Sequence, residues 1–424
     1  MNFNKYKLSS WLPQLNPQVW ILAIGRFLSE VGTGFTLFYA PIFFVNQVGF
    51  SSTAVGLALG SASISGILGR ILGGSFADSR FWGRRRTLLL SSAIAAIASL
   101  VLASTNNFST LVIGNLLAGL GQGLYWPPNE ALVADLTVPE QRQEAYAVTR
   151  LADNFGMGMG IVAGGALVGT TGAYRALFLI DGISFVVFFV VVYFAIKESY
   201  RPTVDKSKSD LYDTWVTALR DRRFLVYILV NIIFTTYTSQ LHSTLPLYLK
   251  NFVPVGDSKG FSETIISALF GWHLVVAILS QLPVARTLRR FNHSQALSIS
   301  AIVWGLGFSV IWATSFAASN QLGWAILALG LLALGTVSYT PSASSLVTDL
   351  APPAQMGIYF SISSLCWAIG YFIGPPLGGW ALDQSPQVAS NLWLGLAGSI
   401  VVTIAILQYL DKMLKKGSRV KDEG

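Results

Sequence analysis

Arg26, Glu30, Glu130, Arg150 and Asp153 are ionisable side chains set inside stretches that are otherwise apolar. Charge held in a water-poor interior is costly, so residues of this kind mark ion paths, proton relays or pairs that neutralise one another. Arg26 and Glu30 are four apart, and Arg150 and Asp153 three apart. At helical spacing each pair shares one face. Two chemistries fit. Glu30, with Asp153 second and Glu130 near a helix end, could exchange protons during a transport cycle, Arg26 and Arg150 acting as competing partners. Alternatively, the two pairs are internal salt bridges.

Other chemistries find little material. Cys366 is the single cysteine, and His242, His273 and His293 sit in three different segments, with no metal-ligand spacing among them. No nucleophile–base pair, metal cluster or phosphate-binding glycine loop is present, so an enzyme is not expected, and neither a metal nor a cofactor is called for.

The elements that must position these side chains are long and apolar. Of the 424 residues, 53% are hydrophobic and 11% charged, against about 25% charged in soluble domains. Residues 224–249, 264–285, 350–382 and 384–410 contain no Asp, Glu, Lys or Arg, and 87–129 and 291–348 are long enough for two crossings each. The pattern predicts an all-α membrane protein with helices near 18–45, 53–77, 85–104, 109–134, 144–170, 174–196, 224–250, 261–285, 294–316, 322–348, 354–381 and 391–411. No cleaved signal peptide is expected, and the first helix is read as its own insertion signal.

The net charge of +8 is a matter of topology. With the N-terminus in the cytoplasm, 22 of the 28 Lys and Arg residues lie on the cytoplasmic side, among them Arg80, Arg84, Arg85, Arg86, Arg286, Arg290, Lys412 and Lys415. The positive-inside rule therefore predicts both termini in the cytoplasm of an inner membrane and argues against a nucleic-acid partner. The polar stretch 197–223 reads as a cytoplasmic linker between two six-helix halves, 1–196 and 224–424.

The halves are related. Residues 121–165 and 335–379, at a constant offset of 214, share 14 of 45 positions, including Tyr125/Tyr339, Pro127/Pro341, Asp135/Asp349 and Gly156/Gly370. That is an internal repeat. Six helices is an even number, so the halves run the same way, as parallel repeats with a substrate site between them. Glu130, Arg150 and Asp153 align with Ser344, Ser364 and Trp367, and Arg26 and Glu30 with Asn231 and Thr235. Ion coupling is therefore expected in the first half alone.

Three motifs make the chain resemble the major facilitator superfamily. Gly74-Ser-Phe-Ala-Asp78-Ser-Arg-Phe-Trp-Gly83-Arg84-Arg85-Arg86 is similar to the superfamily's loop between helices 2 and 3, with two extra residues between Asp78 and Gly83. Gly370-x-x-x-Gly374-Pro375-x-x-Gly378-Gly379 resembles the glycine–proline motif of the drug/proton antiporter branch, displaced here from helix 5 to helix 11; in helix 5, Ile161 stands where the proline would be. Gly119 and Gly121 match a helix 4 pattern whose usual leading arginine is Asn115 here. The resemblance implies two rocking halves. Asp78, with Arg84 and Arg85, would latch one state across the cleft, Gly74 and Gly83 would shape that loop, and Gly374 and Pro375 would close the outward side. Pro127, Pro128 and Pro341 are expected to interrupt helices 4 and 10.

Candidates for the walls of a central cavity are Phe27, Phe38, Tyr39, Tyr125, Tyr237, Gln240, Tyr339 and Trp367, a set suited to a lipophilic or cationic solute. The function that follows is secondary active transport of a small organic solute by a monomer in the lipid bilayer, as proton-coupled efflux driven by a proton gradient. Uptake, coupled or uncoupled, is the alternative within the class, and a non-transporting membrane sensor the alternative outside it.

Overall fold

The computed structural model describes residues 15–138, 141–199, 216–255, 258–288, 290–317, 319–352 and 356–422. Most of the expected 197–223 linker lies outside them. Twelve long helices run through the described residues: α1 Pro17–Gln47, α2 Ser52–Ala77, α3 Gly83–Ala103, α4 Phe108–Asp135, α5 Arg142–Thr171, α6 Tyr174–Ala195, α7 Arg222–Asn251, α8 Glu263–Leu288, α9 His293–Thr314, α10 Gln321–Leu350, α11 Met356–Leu382 and α12 Pro386–Asp422. A two-residue hairpin, β1 Pro254–Val255 with β2 Ser258–Lys259, lies between α7 and α8.

Local chemistry starts and stops these helices. Asn16, Ser51, Asn107, Asp221 and Asn292 accept from backbone N–H groups at the starts of α1, α2, α4, α7 and α9, the usual role of N-cap side chains. Gly172, at φ +67°, ends α5 in the left-handed conformation. α1 is not uniform. It breaks step at Phe38, and Phe43–Gln47 widen into a π turn, beside Pro41, which has no N–H to give the preceding turn.

Pro127 and Pro128 lie inside α4 and Pro341 inside α10, within the helix bounds read from the sequence. One expectation needs correction. α12 is far longer than the 391–411 read from hydropathy. Its charged end stays helical, with Lys415 bonded to Asp411 one turn away at 2.6 Å.

Eleven of the helices are long and apolar enough to cross a membrane. The exception is α4, diluted by Asn115, Gln122, Asn129 and Glu130, and it is packed between α2 and α3. Large apolar side chains such as Ile183, Phe194, Leu279 and Val401 are exposed on the outside of the bundle, a surface suited to lipid.

The helix contacts repeat between halves. α1 packs on α5 and α6, α4 on α2 and α3, and α3 on α6; α7 packs on α11 and α12, α10 on α8 and α9, and α9 on α12. Between halves the main contacts are α2 with α11 and α5 with α8. A Cβ on Gly56 or Gly379 would strike the backbone of Pro375 or Ser52, and one on Gly165 would strike Ser267. Small residues here let the helices touch backbone to backbone.

Every hydrogen bond between described residues of the two halves lies at one end, where α2 and α8 begin and α11 ends. Asn46 and Asn251 exchange amide bonds at 2.9 Å. Tyr174 donates to Glu263 at 2.6 Å, and Ser267 donates to the carbonyl of Ile161 at 3.2 Å. Asp383 of the second half accepts from the first two N–H groups of α2. The Asp78 loop lies at the opposite end.

Candidate functional site

The intramembrane charges pair between helices, not along them. Arg26 grips Asp153 with two bonds, Nε to Oδ1 at 2.8 Å and Nη2 to Oδ2. Arg150 instead reaches Glu130 at 3.0 Å. The pairs expected within α1 and within α5 are both replaced. The cause is the close approach of α1 and α5, whose Gly34 and Gly160 leave no room for a Cβ. A carboxylate on the neighbouring helix can then meet the guanidinium fork side-on, the bidentate geometry that Arg favours.

Arg26 is fully buried, and its Nη1 has no partner among the described residues. Its charge lies 6.0 Å from the Tyr125 ring and 5.8 Å from Trp126, and Arg150 covers Trp126 at 5.2 Å. One indole thus lies within cation–π reach of two guanidiniums, an arrangement that eases the burial of charge.

With Arg26 committed to Asp153, Glu30 is left with no hydrogen bond or ion pair to any described residue. It lines a cavity of about 260 Å³ inside the first half. α1 contributes Ser29, Glu30, Thr33 and Thr36; α3 contributes Ser92 and Ser99; α4 contributes Asn115, Gln122, Tyr125 and Trp126; α6 contributes Phe178, Asp181 and Phe188. Asp181 is a second carboxylate in this wall, and Ser99 donates to its Oδ2 at 2.7 Å. Sequence reading missed it. The available signal was a single acid within the strongly apolar 174–196 segment.

The second half holds a neutral version of the same arrangement. Asn231 donates to Ser363 across α7 and α11 at 3.0 Å, and Tyr339 donates to Asn231. Thr235, at the position of Glu30, donates to the carbonyl of Cys366 at 2.8 Å. Hydrogen bonds between neutral groups stand at the positions of Arg26 and Glu30, while Trp367 occupies that of Asp153.

The expected aromatic cavity is dispersed. Tyr125 lines the first-half cavity. Phe38 stacks on Phe270 at 3.9 Å and meets His242 edge-on, close to where α5 and α8 join. Tyr39 donates to the carbonyl of Ile161 at 3.0 Å. Phe27 stacks on Phe155 at 5.9 Å. Tyr237, Gln240 and Tyr339 are buried in the second half's core, where Tyr237 bonds Ser399 at 2.6 Å and Gln240 donates to the carbonyl of Gly374 at 2.9 Å. Trp367 is partly exposed beside Tyr371. Large aromatics at helical spacing served mostly as packing.

In this conformation the Asp78 loop is wired within the first half. Arg84 donates to Asp78, to the carbonyl of Ala77 at 2.6 Å and to Asp135 at 3.3 Å. Glu198, just after α6, accepts from the backbone N–H groups of Arg84 at 2.8 Å and Arg85 at 3.1 Å. The carboxylate thereby caps α3. Arg85 donates to the carbonyl of Tyr193. Gly83 has φ +71°, and a Cβ there would meet the Glu198 carboxyl at 2.5 Å. A Cβ on Gly74 would lie 4.0 Å from Pro127. The loop joins the ends of α2, α3, α4 and α6.

At the opposite end, Gly374 packs against Ser239 within the second half, and Pro375 meets Gly56 of α2. About two turns on, Asp383 accepts from Ser52 N and Thr53 N, each at 2.7 Å. Burial favours the neutral acid at Asp383, but the bonds from Thr53 and Ser52 outweigh it and hold the carboxyl below its usual value.

Comparison with known proteins adds four observations. The family model described as Major Facilitator Superfamily matches residues 22–253 and again 251–423. Over 88% of this chain and 91% of the relative, the sequence is 25% identical to a Na(+), Li(+), K(+)/H(+) antiporter of Planococcus maritimus. Over 92% and 94% it is 26% identical to multidrug resistance protein MdtH of Aeromonas hydrophila. Among solved structures, the peptide transporter POT in complex with sulfate superposes with a TM-score of 0.77, at 15% identity, over 97% of this chain and 99% of that one. At that identity the likeness is one of fold.

Proposed function

We propose that this chain, which belongs to the Major Facilitator Superfamily, exports a small organic solute in exchange for protons by alternating access. It is a multi-pass membrane transporter and not an enzyme. The basic surplus at the Asp78 end supports a cytoplasmic position for that end in an inner membrane. The bonded end then faces outward, and the conformation is the one open to the cytoplasm. A monomer suffices, because the two halves supply both walls of the path.

The observation that carries this reading is Glu30. Its carboxyl lines an interior cavity, while the cation on its own helix, Arg26, is committed to Asp153. A carboxyl in that position can take and release a proton without breaking a structural ion pair. The related multidrug resistance protein and cation/proton antiporter support export and proton exchange by analogy.

Reconstitution in liposomes tests it, with ethidium as a fluorescent lipophilic cation. An imposed proton gradient is expected to drive accumulation of the dye. Glu30→Gln is expected to abolish accumulation while leaving downhill exchange intact. If the Glu30→Gln protein still concentrates the dye from a proton gradient alone, the coupling role assigned to Glu30 is wrong.

A further inference from the structure

We infer that the cavity inside the first half is a binding site for a small alkali-metal cation, with Asp181 and Glu30 as its charged ligands. The proposal depends on the transporter reading for its use in a cycle, not for its existence.

Three observations support it. First, Asp181 is only 7% exposed, lines the cavity, and has one oxygen, Oδ1, buried without a partner among the described residues. Ser99 satisfies the other oxygen. A buried carboxylate oxygen without a donor is costly, and a bound cation would supply what the protein does not.

Second, the neutral wall presents acceptors. Ser29 and Thr33 spend their hydroxyl hydrogens on the helix carbonyls of Arg26 and Ser29, at 3.0 and 3.3 Å. Asn115 donates its amide to the carbonyl of Leu111 at 2.9 Å. Those bonds leave hydroxyl lone pairs and the Asn115 carbonyl oxygen as the remaining capacity of these groups. Hard oxygen acceptors around two carboxylates match a hard cation.

Third, charge and size limit the ion. Arg26 and Asp153 cancel as a pair, and Arg150 cancels Glu130, so Glu30 and Asp181 are the acids at this cavity with no cationic partner among the described residues. No group of three or more His, Cys, Asp or Glu side chains that could hold a metal gathers among the described residues. A divalent ion is usually held by a richer carboxylate shell or retains much of its water. Two acids among neutral oxygens suit a weakly held monovalent ion. The 260 Å³ volume accommodates such an ion with a few waters, and falls below the roughly 300–1,000 Å³ typical of drug-sized ligands.

The test uses purified full-length protein in detergent. Melting temperature is followed against LiCl, NaCl, KCl or MgCl2, with choline chloride keeping ionic strength constant. At least one alkali-metal salt is expected to raise it saturably, as a ligand specific to the folded state must, and MgCl2 is not. Asp181→Asn is expected to remove the rise or to move its half-saturation at least tenfold, and Asp411→Asn, at the far end of α12, to leave it unchanged. A wild-type protein that responds to no alkali-metal salt beyond choline, or to MgCl2 alone, overturns the proposal. So does an Asp181→Asn protein with the wild-type curve. Should Asp181→Asn not fold, Ser99→Ala keeps both carboxylates but frees Asp181 to turn; it must shift the half-saturating concentration, and an unshifted curve sinks the site. Because the assay needs no substrate or gradient, loss of proton-driven dye export would count against the export reading alone.

Discussion

The carboxylate of Asp383 caps the helix that starts at Ser52, although 331 positions separate them and they belong to different halves of the molecule. One oxygen takes Ser52 N–H and the other Thr53 N–H, each at 2.7 Å. The first N–H groups of any helix lack partners within it and carry partial positive charge. Here the second half supplies what the first half's own sequence does not. The contact exists only while this end is shut, so it belongs to one conformation of the cycle.

Asp383→Asn is therefore expected to favour opening at this end. Loss of the charge and of one good acceptor is worth about 1–2 kcal/mol, roughly a 5- to 30-fold change in the equilibrium. Spin labels at Gln47 and Gln387 would report it as a longer or broader distance distribution. An unchanged distribution would mean that the small-residue contacts alone hold this end shut.

The same carboxylate gives a pH dependence with a definite sign. Its value is depressed in the closed conformation. Its contribution to closure is thus fully present above the ordinary aspartate value of about 3.9 and disappears as pH falls through the lowered one. The label distances should stay constant from pH 8 to 5 and lengthen only in stronger acid. Asp383→Asn should lose part of that acid response, the remainder belonging to Glu263, which accepts from Tyr174 at the same end.

Arg26 and Asp153 should behave as a unit. Asp153→Asn leaves a buried guanidinium without its counter-charge, at a cost of about 3–5 kcal/mol. Arg26→Met combined with Asp153→Leu removes both charges, and should recover most of the lost thermal stability. A double variant as unstable as the single one would show that the pair is not the source of the loss.

At the Asp78 loop, Asp78→Asn weakens a charge-assisted bond to Arg84 but leaves Asp135 and Glu198 in place. Dye flux is expected to slow several-fold with normal membrane insertion. Gly83→Ala should be worse, since the new methyl group meets Glu198 and the backbone is left-handed there. Thermal melting in detergent that ranks Gly83→Ala above Asp78→Asn would contradict this account of the loop.

Helices were legible in the sequence because hydrocarbon imposes one rule on every segment that crosses it. The charge-free runs located them, and the 214-residue offset exposed the duplication. The site was legible in composition but not in pairing. Arg26, Glu30, Arg150 and Asp153 were recognisable as unusual, yet spacing along one helix suggested the wrong partners. What decides partners is how near two helices come, and that depends on Gly34 facing Gly160, a contact between helices 1 and 5. Asp383 and Asp181 escaped notice for different reasons. Asp383 lies between the helices read at 354–381 and 391–411, and its ligands are backbone amides, which every sequence has. Asp181 had no partner within helical reach to draw attention to it.

The neutral cluster of Asn231, Ser363 and Tyr339 lets the molecule serve as its own reference. Evolution has run the substitution experiment within a single polypeptide: the same bundle, in the same membrane, with and without ions at its centre. The second half folds and packs with hydrogen bonds in those positions, so the architecture does not require the charges. Their retention in the first half is then an expense borne for some purpose other than folding. The comparison also indicates where redesign is safest, since Asn and Thr borrowed from the second half at positions 26 and 30 start from a solution this scaffold already tolerates.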